Sequence, residues 1–216
     1  HEKVYRNLYN IEEKIMDNGT WVYHVLQGNT IEILGVSPSY EGEAIEIPVQ
    51  IDEKNITSLA EGFMQSLTGI KLLTFESGSM ISVIESNTFY YTSLETIILP
   101  NSIKEIKVNA FYGSTALRNI LFEEGASEIV FQSESLYGGY RSRLNLNIVE
   151  IPRGSTVADY VAGGLDYYSD SSYSTIQQFI IYPEVTLNTY SLMYGDRTHE
   201  KVYRNLYNIE EKIMDN

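Results

Sequence analysis

A short apolar pattern that recurs along the chain constrains its fold more than any other feature of the sequence. The pattern is I-x-x-[IL]-x4-[FM]-x5-[LI]-x-x-[IL]-x-[LF], and three copies align on the anchoring residues Met64, Phe89 and Phe111. The copy around Phe89 has one residue fewer in its loop. A unit of about 22 to 28 residues cannot bury its apolar side alone, so the copies must stack on one another. The repeat therefore predicts a solenoid that is mainly β.

The second half of each copy predicts a short strand whose alternate residues face the core, with the anchoring Phe or Met filling the opposite wall. The residues between the inward ones should face outward at equivalent positions and form a vertical row on one face of the sheet. These are Thr74, Ile98 and Leu121. Strands are also expected to end where proline follows, because proline has no N–H to donate to a ladder. This occurs at residues 45–48, 97–100 and 149–152.

Residues 1–18 recur letter for letter as residues 199–216. We interpret the chain as one unit of a longer protein with near-identical tandem units, followed by the start of the next unit; an engineered duplication is the alternative. The apolar residues of the segment fall at helical spacing, which predicts a connector helix in both copies. A groove that accepts the first helix could also accept the second helix of another copy, so we expect possible head-to-tail self-association. The stripe consists of Val4, Leu8, Ile11 and Ile15.

The two ends of a solenoid need caps, since a bare end exposes the core and unpaired strand edges. Alternation from Trp21 to Val25 and again from Ile31 to Ile33 predicts an N-terminal hairpin. Near the other end, Thr156 and Asp159 predict the start of a short helix over Val157–Ala162, and a last strand is expected over Gln178–Tyr182.

These features divide the chain into five predicted parts. They are the connector helix (1–18), the N-terminal cap hairpin with the first strand (19–55), the repeats (56–152), the C-terminal cap (153–187), and a linker with the second connector helix (188–216).

The repeats resemble the BspA-type leucine-rich repeat family. The resemblance rests on SIKEIKVNAFYGSTALRNILF (102–122) and IESNTFYYTSLETIILPNSIKEI (84–106), which are similar to a family unit that runs roughly V-T-S-I-G-x-x-A-F-x-G-C-x-x-L-x-x-I-x-I-P. Residues 20 to about 182 are covered in all. Met64 departs from the usual Phe, no cysteine follows the aromatic residue, and residues 126–148 fit the period poorly.

The resemblance implies a stack of the leucine-rich-repeat type in a bacterial protein that is secreted or displayed on the cell surface and associated with adhesion. Its signal and anchor would lie outside these residues.

Composition narrows the classes of partner. Acidic residues outnumber basic ones by 29 to 15, for a net charge of −14, so binding to nucleic acid or to an anionic membrane surface is not expected. The chain has no cysteine, which excludes disulfides, thiolate metal sites and a cysteine nucleophile. No apolar run approaches the length of a membrane span, so we expect no membrane insertion within these residues.

The sequence contains no recognisable catalytic or metal-binding motif. His24 is the one histidine outside the duplicated segment, and a half-buried strand histidine is favoured over a member of a Ser-His-Asp site. Paired acids could serve a glycosidase, but solvated turn residues are favoured; the pairs are Glu123 with Glu124, Glu41 with Glu43, and Asp166 with Asp170. Calcium binding by the last pair is the weaker alternative. We therefore predict no catalytic residue, no metal and no cofactor.

Tyrosine is overrepresented, with 18 residues in 216. Tyr90, Tyr91 and Tyr112 follow the anchors Phe89 and Phe111, and Tyr137 and Tyr140 come where a fourth anchor is expected. Tyrosine is common at interface hot spots, so one interpretation is a recognition surface. The alternative, which we favour, is that amphipathic rings cover the flank of the solenoid while their hydroxyls stay in water.

Three functions follow in order of preference. The first is a non-catalytic interaction module that binds a protein or glycan of a host or neighbouring cell through the solenoid face. Its candidate ligand-binding residues are Thr74, Ile98, Leu121, Tyr90, Tyr91 and Tyr112. The second is a structural spacer whose units stack head to tail to project another domain, and a hydrolase is a distant third.

Overall fold

A computed structural model describes most of the chain. It covers residues 3–6, 12–65, 69–139, 144–162 and 175–187, together with the short strands at 193–194, 203–204 and 209–211. Within these residues the regular secondary structure consists of strands, and no helix is present. The solenoid predicted from the repeat is confirmed.

The first wall of the solenoid is a parallel sheet of seven strands, which we call the long sheet. One buried position of each strand lies in register with the next, from Ile45 through Leu73, Ile97 and Ile120 to Val149. This row is the predicted inward side of the strand, and it forms the centre of the core. The strands are β5 (Ala44–Ile47), β8 (Leu72–Phe75), β10 (Thr96–Leu99), β12 (Asn119–Phe122), β14 (Asn145–Ile151), β16 (Thr175–Ile181) and β20 (Ile209–Glu211).

The predicted strand ends are confirmed. β5, β10 and β14 each end at the residue before a proline. The chain then turns towards a second, smaller parallel sheet.

This short-strand sheet forms the second wall, and each of its strands contributes two residues. Ile84, Ile106, Phe131 and Val157 lie in register and are buried. Residues 126–148 fit the period poorly in sequence, yet 126–139 and 144–148, the part that the structure describes, still belong to a turn of the solenoid. The strands are β9 (Val83–Ile84), β11 (Glu105–Ile106), β13 (Val130–Phe131), β15 (Thr156–Val157) and β17 (Thr186–Leu187).

The third wall is made of stacked turns and is here called the turn wall (residues 60–65, 85–92, 107–114, 132–139 and 158–162). A residue at the same place in each of the five turns has a left-handed φ of 56–60°. In the first four turns the N–H of this residue donates to the carbonyl of the equivalent residue in the next turn, at 2.9–3.2 Å. Glycine and asparagine tolerate this conformation best. The five residues are Gly62, Asn87, Asn109, Glu134 and Tyr160.

The anchors occupy matching places in this wall. Each lies two residues after a left-handed residue and is buried: Met64 after Gly62, Phe89 after Asn87, and Phe111 after Asn109. The prediction that the three share one slot is therefore confirmed. Leu136 lies two residues after the left-handed Glu134 and is buried, so it occupies the fourth slot, where the sequence suggested Tyr137 or Tyr140.

The predicted N-terminal hairpin is present and belongs to a separate sheet. β3 (Trp21–Val25) and β4 (Ile31–Val36) pair antiparallel around a turn that contains Gly28 and Asn29, both with positive φ. β4 then pairs in parallel with β7 (Lys54–Leu59), which also pairs with β6 (Gln50–Ile51).

The prediction of a connector helix is wrong where the structure describes the segment. Residues 1–18 contain two antiparallel strands, β1 (Lys3–Arg6) and β2 (Glu12–Asp17), and β2 pairs with β3. The second copy contains β19 (Tyr203–Arg204), which pairs with β18 (Met193–Tyr194), and β20. Helical spacing of apolar residues is a local signal, and the backbone partners offered by β3 and β16 override it.

The short helix predicted over Val157–Ala162 is also wrong. Thr156 and Val157 form β15, in register with Val130 and Phe131 of the preceding turn. Tyr160 then adopts a φ of 56°, which no right-handed helix contains. The last predicted strand is present as β16, whereas the polar residues 166–174 lie outside the described part of the chain.

Candidate functional site

The predicted outward row lies on the open face of the long sheet. Thr74, Ile98 and Leu121 are half-buried, and each follows a buried residue of the in-register row. Glu46 pairs with Thr74 at one end of the row. At the other end Glu150 follows Val149, the partner of Ile120. The row is thus a narrow strip of small and aliphatic side chains with a carboxylate at either end.

A second outward row runs parallel to the first and was not identified from sequence. Its central pair is Thr96 and Asn119, and the Asn119 amide donates to the Thr96 hydroxyl at 3.0 Å. Leu72 and Ile148 lie on either side of this pair. These residues stand two positions before the first row in each strand, so the alternation could have predicted them once the strand register was known.

The candidate tyrosines form a compact aromatic cluster on the turn wall, which we call the tyrosine ridge (Tyr90, Tyr91, Tyr112 and Tyr137). The rings of Tyr90 and Tyr112 are stacked at 5.7 Å with an interplanar angle of 17°. Tyr91 meets Tyr90 edge-on at 4.5 Å and Tyr112 at 6.0 Å. Tyr112 contacts Tyr137 at 6.3 Å. Three of the rings remain partly accessible, and Tyr91 is 44% exposed.

Two glycines explain how the rings lie against the solenoid. A Cβ added to Gly113 would lie 2.7 Å from the ring of Tyr91, and one added to Gly139 would lie 2.5 Å from the ring of Tyr112. Both glycines have positive φ, 77° and 97°. Each ring therefore packs on bare backbone of the next turn, which holds the tyrosine ridge in one arrangement.

The structure places the two groups of candidate residues on different walls. Thr74, Ile98 and Leu121 lie on the long sheet, whereas Tyr90, Tyr91 and Tyr112 lie on the turn wall, which has a backbone ladder of its own. In that ladder the Tyr91 N–H donates to the Tyr112 carbonyl at 2.9 Å. The molecule thus presents two candidate surfaces rather than one convergent site.

A groove of about 510 Å³ lies where β12, β14 and β16 end. Phe122, Pro152 and Tyr182 supply apolar surface, and Glu124 contributes an exposed carboxylate. Burial and the neighbouring Glu150 carboxylate raise the pKa of the Tyr182 hydroxyl. No sequence motif indicated this groove, because its residues come from three successive turns.

Where the structure describes them, the side chains considered for catalysis do not assemble into a reactive site. The Nε2 of His24 lies 2.9 Å from a carboxylate oxygen of Glu32 on the paired strand. Glu123 accepts the Asn101 N–H at 3.2 Å in the turn after β12. Asp166 and Asp170 lie outside the described residues, as does the calcium site considered for them. Among the residues that are described, no group of three or more His, Asp or Glu side chains could hold a metal ion.

Next to His24, the hydroxyl of Tyr23 donates to Asp52 at 2.8 Å. Burial and this contact raise the pKa of Tyr23 to about 12. The pair joins the hairpin to the turn between β6 and β7, and we assign it a structural role.

A search of the described part of the chain finds no helix long and apolar enough to cross a membrane.

Comparison with known proteins identifies the family to which the repeats are similar. The model of the BspA type Leucine rich repeat region matches residues 43–156 in six copies. A crystal structure of a leucine rich cell surface protein from Faecalibacterium prausnitzii is similar at 13% identity and a TM-score of 0.31, over 85% of this chain and 59% of that chain. This chain therefore spans less than two thirds of that protein. A comparison with curated proteins finds no match. Since the matched residues make up more than half of the chain and contain the stacked anchors, this chain belongs to the BspA-type leucine-rich repeat family.

Proposed function

We propose that this chain is a non-catalytic binding module of a bacterial surface or secreted protein, and that it attaches to a protein or glycan of a host or neighbouring cell. The observation that carries the proposal is the tyrosine ridge, in which accessible rings are held in one arrangement by stacking and by the glycines beneath them. A preorganised aromatic surface loses little conformational entropy on binding. Aromatic faces suit both the apolar faces of sugars and protein side chains.

The face of the long sheet is the second contact surface of this proposal. Thr74, Ile98 and Leu121 offer a strip of side chains on a rigid sheet, and the flanking Glu46 and Glu150 favour a ligand with basic groups at its edges. The net charge of −14 points the same way.

The test is a direct binding measurement with substitutions on each surface. The labelled chain is applied to a glycan array and to a panel of extracellular proteins, and bound ligands are titrated with Tyr91→Ala and Ile98→Glu variants. A hot-spot residue contributes about 2 kcal/mol or more, so at least one variant should bind more than about 20-fold more weakly. Met80→Ala is the matched control, because Met80 is 51% exposed and lies outside both surfaces. Equal loss in the control, or no binding to any ligand, would contradict the proposal.

Location at the cell surface is part of this proposal and rests on membership of the family. Brief protease treatment of intact producing cells should remove the repeats while a cytoplasmic marker stays intact. Protection of the repeats would place them elsewhere.

A structural spacer is the second candidate function. The long sheet does not stop at β16 but continues into the duplicated segment through β20. Tandem units joined in this way would form a rod whose length grows in proportion to the number of units, and small-angle X-ray scattering measures that length. A hydrolase remains the weakest candidate, and turnover above blank in a hydrolase-substrate screen would revive it.

A further inference from the structure

The duplicated segment forms strands in two different sheets of the same molecule. In the first copy, Glu12 and Glu13 of β2 pair antiparallel with Arg6 and Tyr5 of β1. In the second copy, the equivalent residues are Glu210 and Glu211 of β20, and they pair in parallel with Ile180 and Ile181 of β16. One backbone stretch therefore accepts two alternative partners, β1 and β16.

The partner strand also changes between the two copies. Tyr203 and Arg204, which correspond to Tyr5 and Arg6, form β19 and pair with Met193 and Tyr194 of β18. β1 and β2 are thus paired with each other in the first copy, whereas their equivalents β19 and β20 lie in different sheets in the second. Identical residues have the same local propensities, so the difference arises from the strand edges that are available nearby.

The pairings with β3 and with β16 involve different residues of the segment. In the first copy β2 pairs with β3 only through Ile15, Met16 and Asp17. The pairing of β20 with β16 uses the equivalents of Ile11, Glu12 and Glu13 instead. A single copy of the segment can therefore pair with its own β3 and with a foreign β16 at the same time, provided that β1 leaves.

We propose that β16 is a docking edge for the first copy of this segment in a second molecule of the same chain. Residues around Glu12 and Glu13 of one molecule replace β20 beside Ile180 and Ile181 of the other, and β1 is displaced. The long sheet of one molecule then continues through β2 into the sheet that contains β3 and β4 of the next, here called the hairpin sheet. Main-chain hydrogen bonds supply the affinity, as in other cases of strand addition. This association is independent of the proposed ligand binding.

In the isolated chain β20 competes for the same edge, and its tether gives it a high effective concentration. The test therefore begins by removing β20 from the edge with the double substitution Glu210→Pro and Glu211→Pro. Consecutive N–H groups point to opposite edges of a strand, so two adjacent prolines remove whichever one faces β16. We expect the average mass in sedimentation to approach at least twice that of the monomer as the concentration is raised to several hundred micromolar.

The matched control adds Glu12→Pro and Glu13→Pro to the same chain, and it should remain monomeric. Trp21 is the single tryptophan and is buried beside β2 in the hairpin sheet, so its fluorescence reports whether that sheet still folds. The protein has a net charge of −14, so self-association should strengthen with added salt as repulsion is screened. A first variant that stays monomeric at high salt, with native Trp21 fluorescence, would overturn the proposal.

Cross-linking tests the register and keeps the proposal falsifiable if the control variant unfolds. The chain has no cysteine, so Ile180→Cys in the Glu210→Pro and Glu211→Pro background can be mixed with a Glu12→Cys chain. The pairing predicts a disulfide between the two, and a several-fold lower yield with Lys14→Cys, which lies two residues out of register. Equal yields from positions 12 and 14, or no cross-linked dimer, would exclude the proposed pairing.

Discussion

Phe89 lies between two neighbouring turns of the solenoid, and its truncation tests the stacking of the anchors most directly. The side chain is fully buried; its ring stacks on Phe111 at 5.3 Å with an interplanar angle of 7° and meets Phe63 edge-on at 5.7 Å. Phe89→Ala removes both ring contacts and leaves a cavity, which costs about 3 to 5 kcal/mol. A domain of this size is typically stable by only about 5 to 15 kcal/mol. Urea denaturation should therefore show a markedly lower midpoint.

The conservative change separates the ring contacts from simple filling of the slot. Phe89→Leu retains most of the volume and should cost about 1 kcal/mol. A double-mutant cycle with Phe111→Leu should return a coupling of about 0.5 to 1.5 kcal/mol, the value expected of an aromatic pair. The reasoning fails if Phe89→Ala lowers the free energy of unfolding by less than about 1 kcal/mol, because truncating a side chain that packs between neighbouring turns should destabilise both contacts.

Three further substitutions test the turn wall and the hairpin. Gly113→Ala should cost about 1 to 2 kcal/mol in urea denaturation and displace the Tyr91 ring, because the residue has a φ of 77° and its new Cβ would meet that ring. Ser114→Ala should cost about 1 to 3 kcal/mol, because the buried hydroxyl donates to the Phe89 carbonyl and accepts the Thr92 N–H at 3.1 Å. Tyr23→Phe should flatten the loss of stability at high pH. The folded pKa of Tyr23 is about 12 against 10.0 in the unfolded chain, so its contribution is complete below pH 10 and is lost as the pH rises through 12.

The Gly113 and Ser114 substitutions each have a control in the same chain. Gly28→Ala has a similar φ of 94° but no atom near its new Cβ, so it should cost less than Gly113→Ala. Ser82→Ala removes an exposed hydroxyl and should be close to neutral. For the pH experiment, an unchanged decline between pH 10 and 12 in Tyr23→Phe would show that another group is responsible.

The anchors could be predicted because their environment repeats with the sequence. Met64, Phe89 and Phe111 each follow a left-handed turn residue by two positions, so a fixed offset in sequence becomes a fixed place in the wall. The fourth slot was missed because Leu136 stands beside the more conspicuous Tyr137. The backbone register, rather than residue type, decides which of two neighbouring apolar side chains points inward.

The candidate surfaces could be predicted only in part from the sequence. Their residues could be chosen from the alternation and from the excess of tyrosine, and the rows and contacts followed from the strand register. The tyrosines and the strip at Ile98 lie on separate walls. This separation depends on the number of residues in the loops that connect the walls, which the sequence pattern does not encode. The groove beside Tyr182 is likewise assembled from turns that are distant in sequence.

The amino-acid sequence alone determined that the chain stacks short units into a β-rich solenoid, because so short a unit can bury its apolar side chains only against neighbouring units. Tertiary structure decided the conformation of the duplicated segment. An apolar stripe over 1–18 is compatible with a helix or with strands, and the energy that separates the two comes from hydrogen bonds to partners elsewhere in the chain. Those partners differ between the two copies, so Glu12 and Glu13 pair with β1, whereas the identical Glu210 and Glu211 pair with β16.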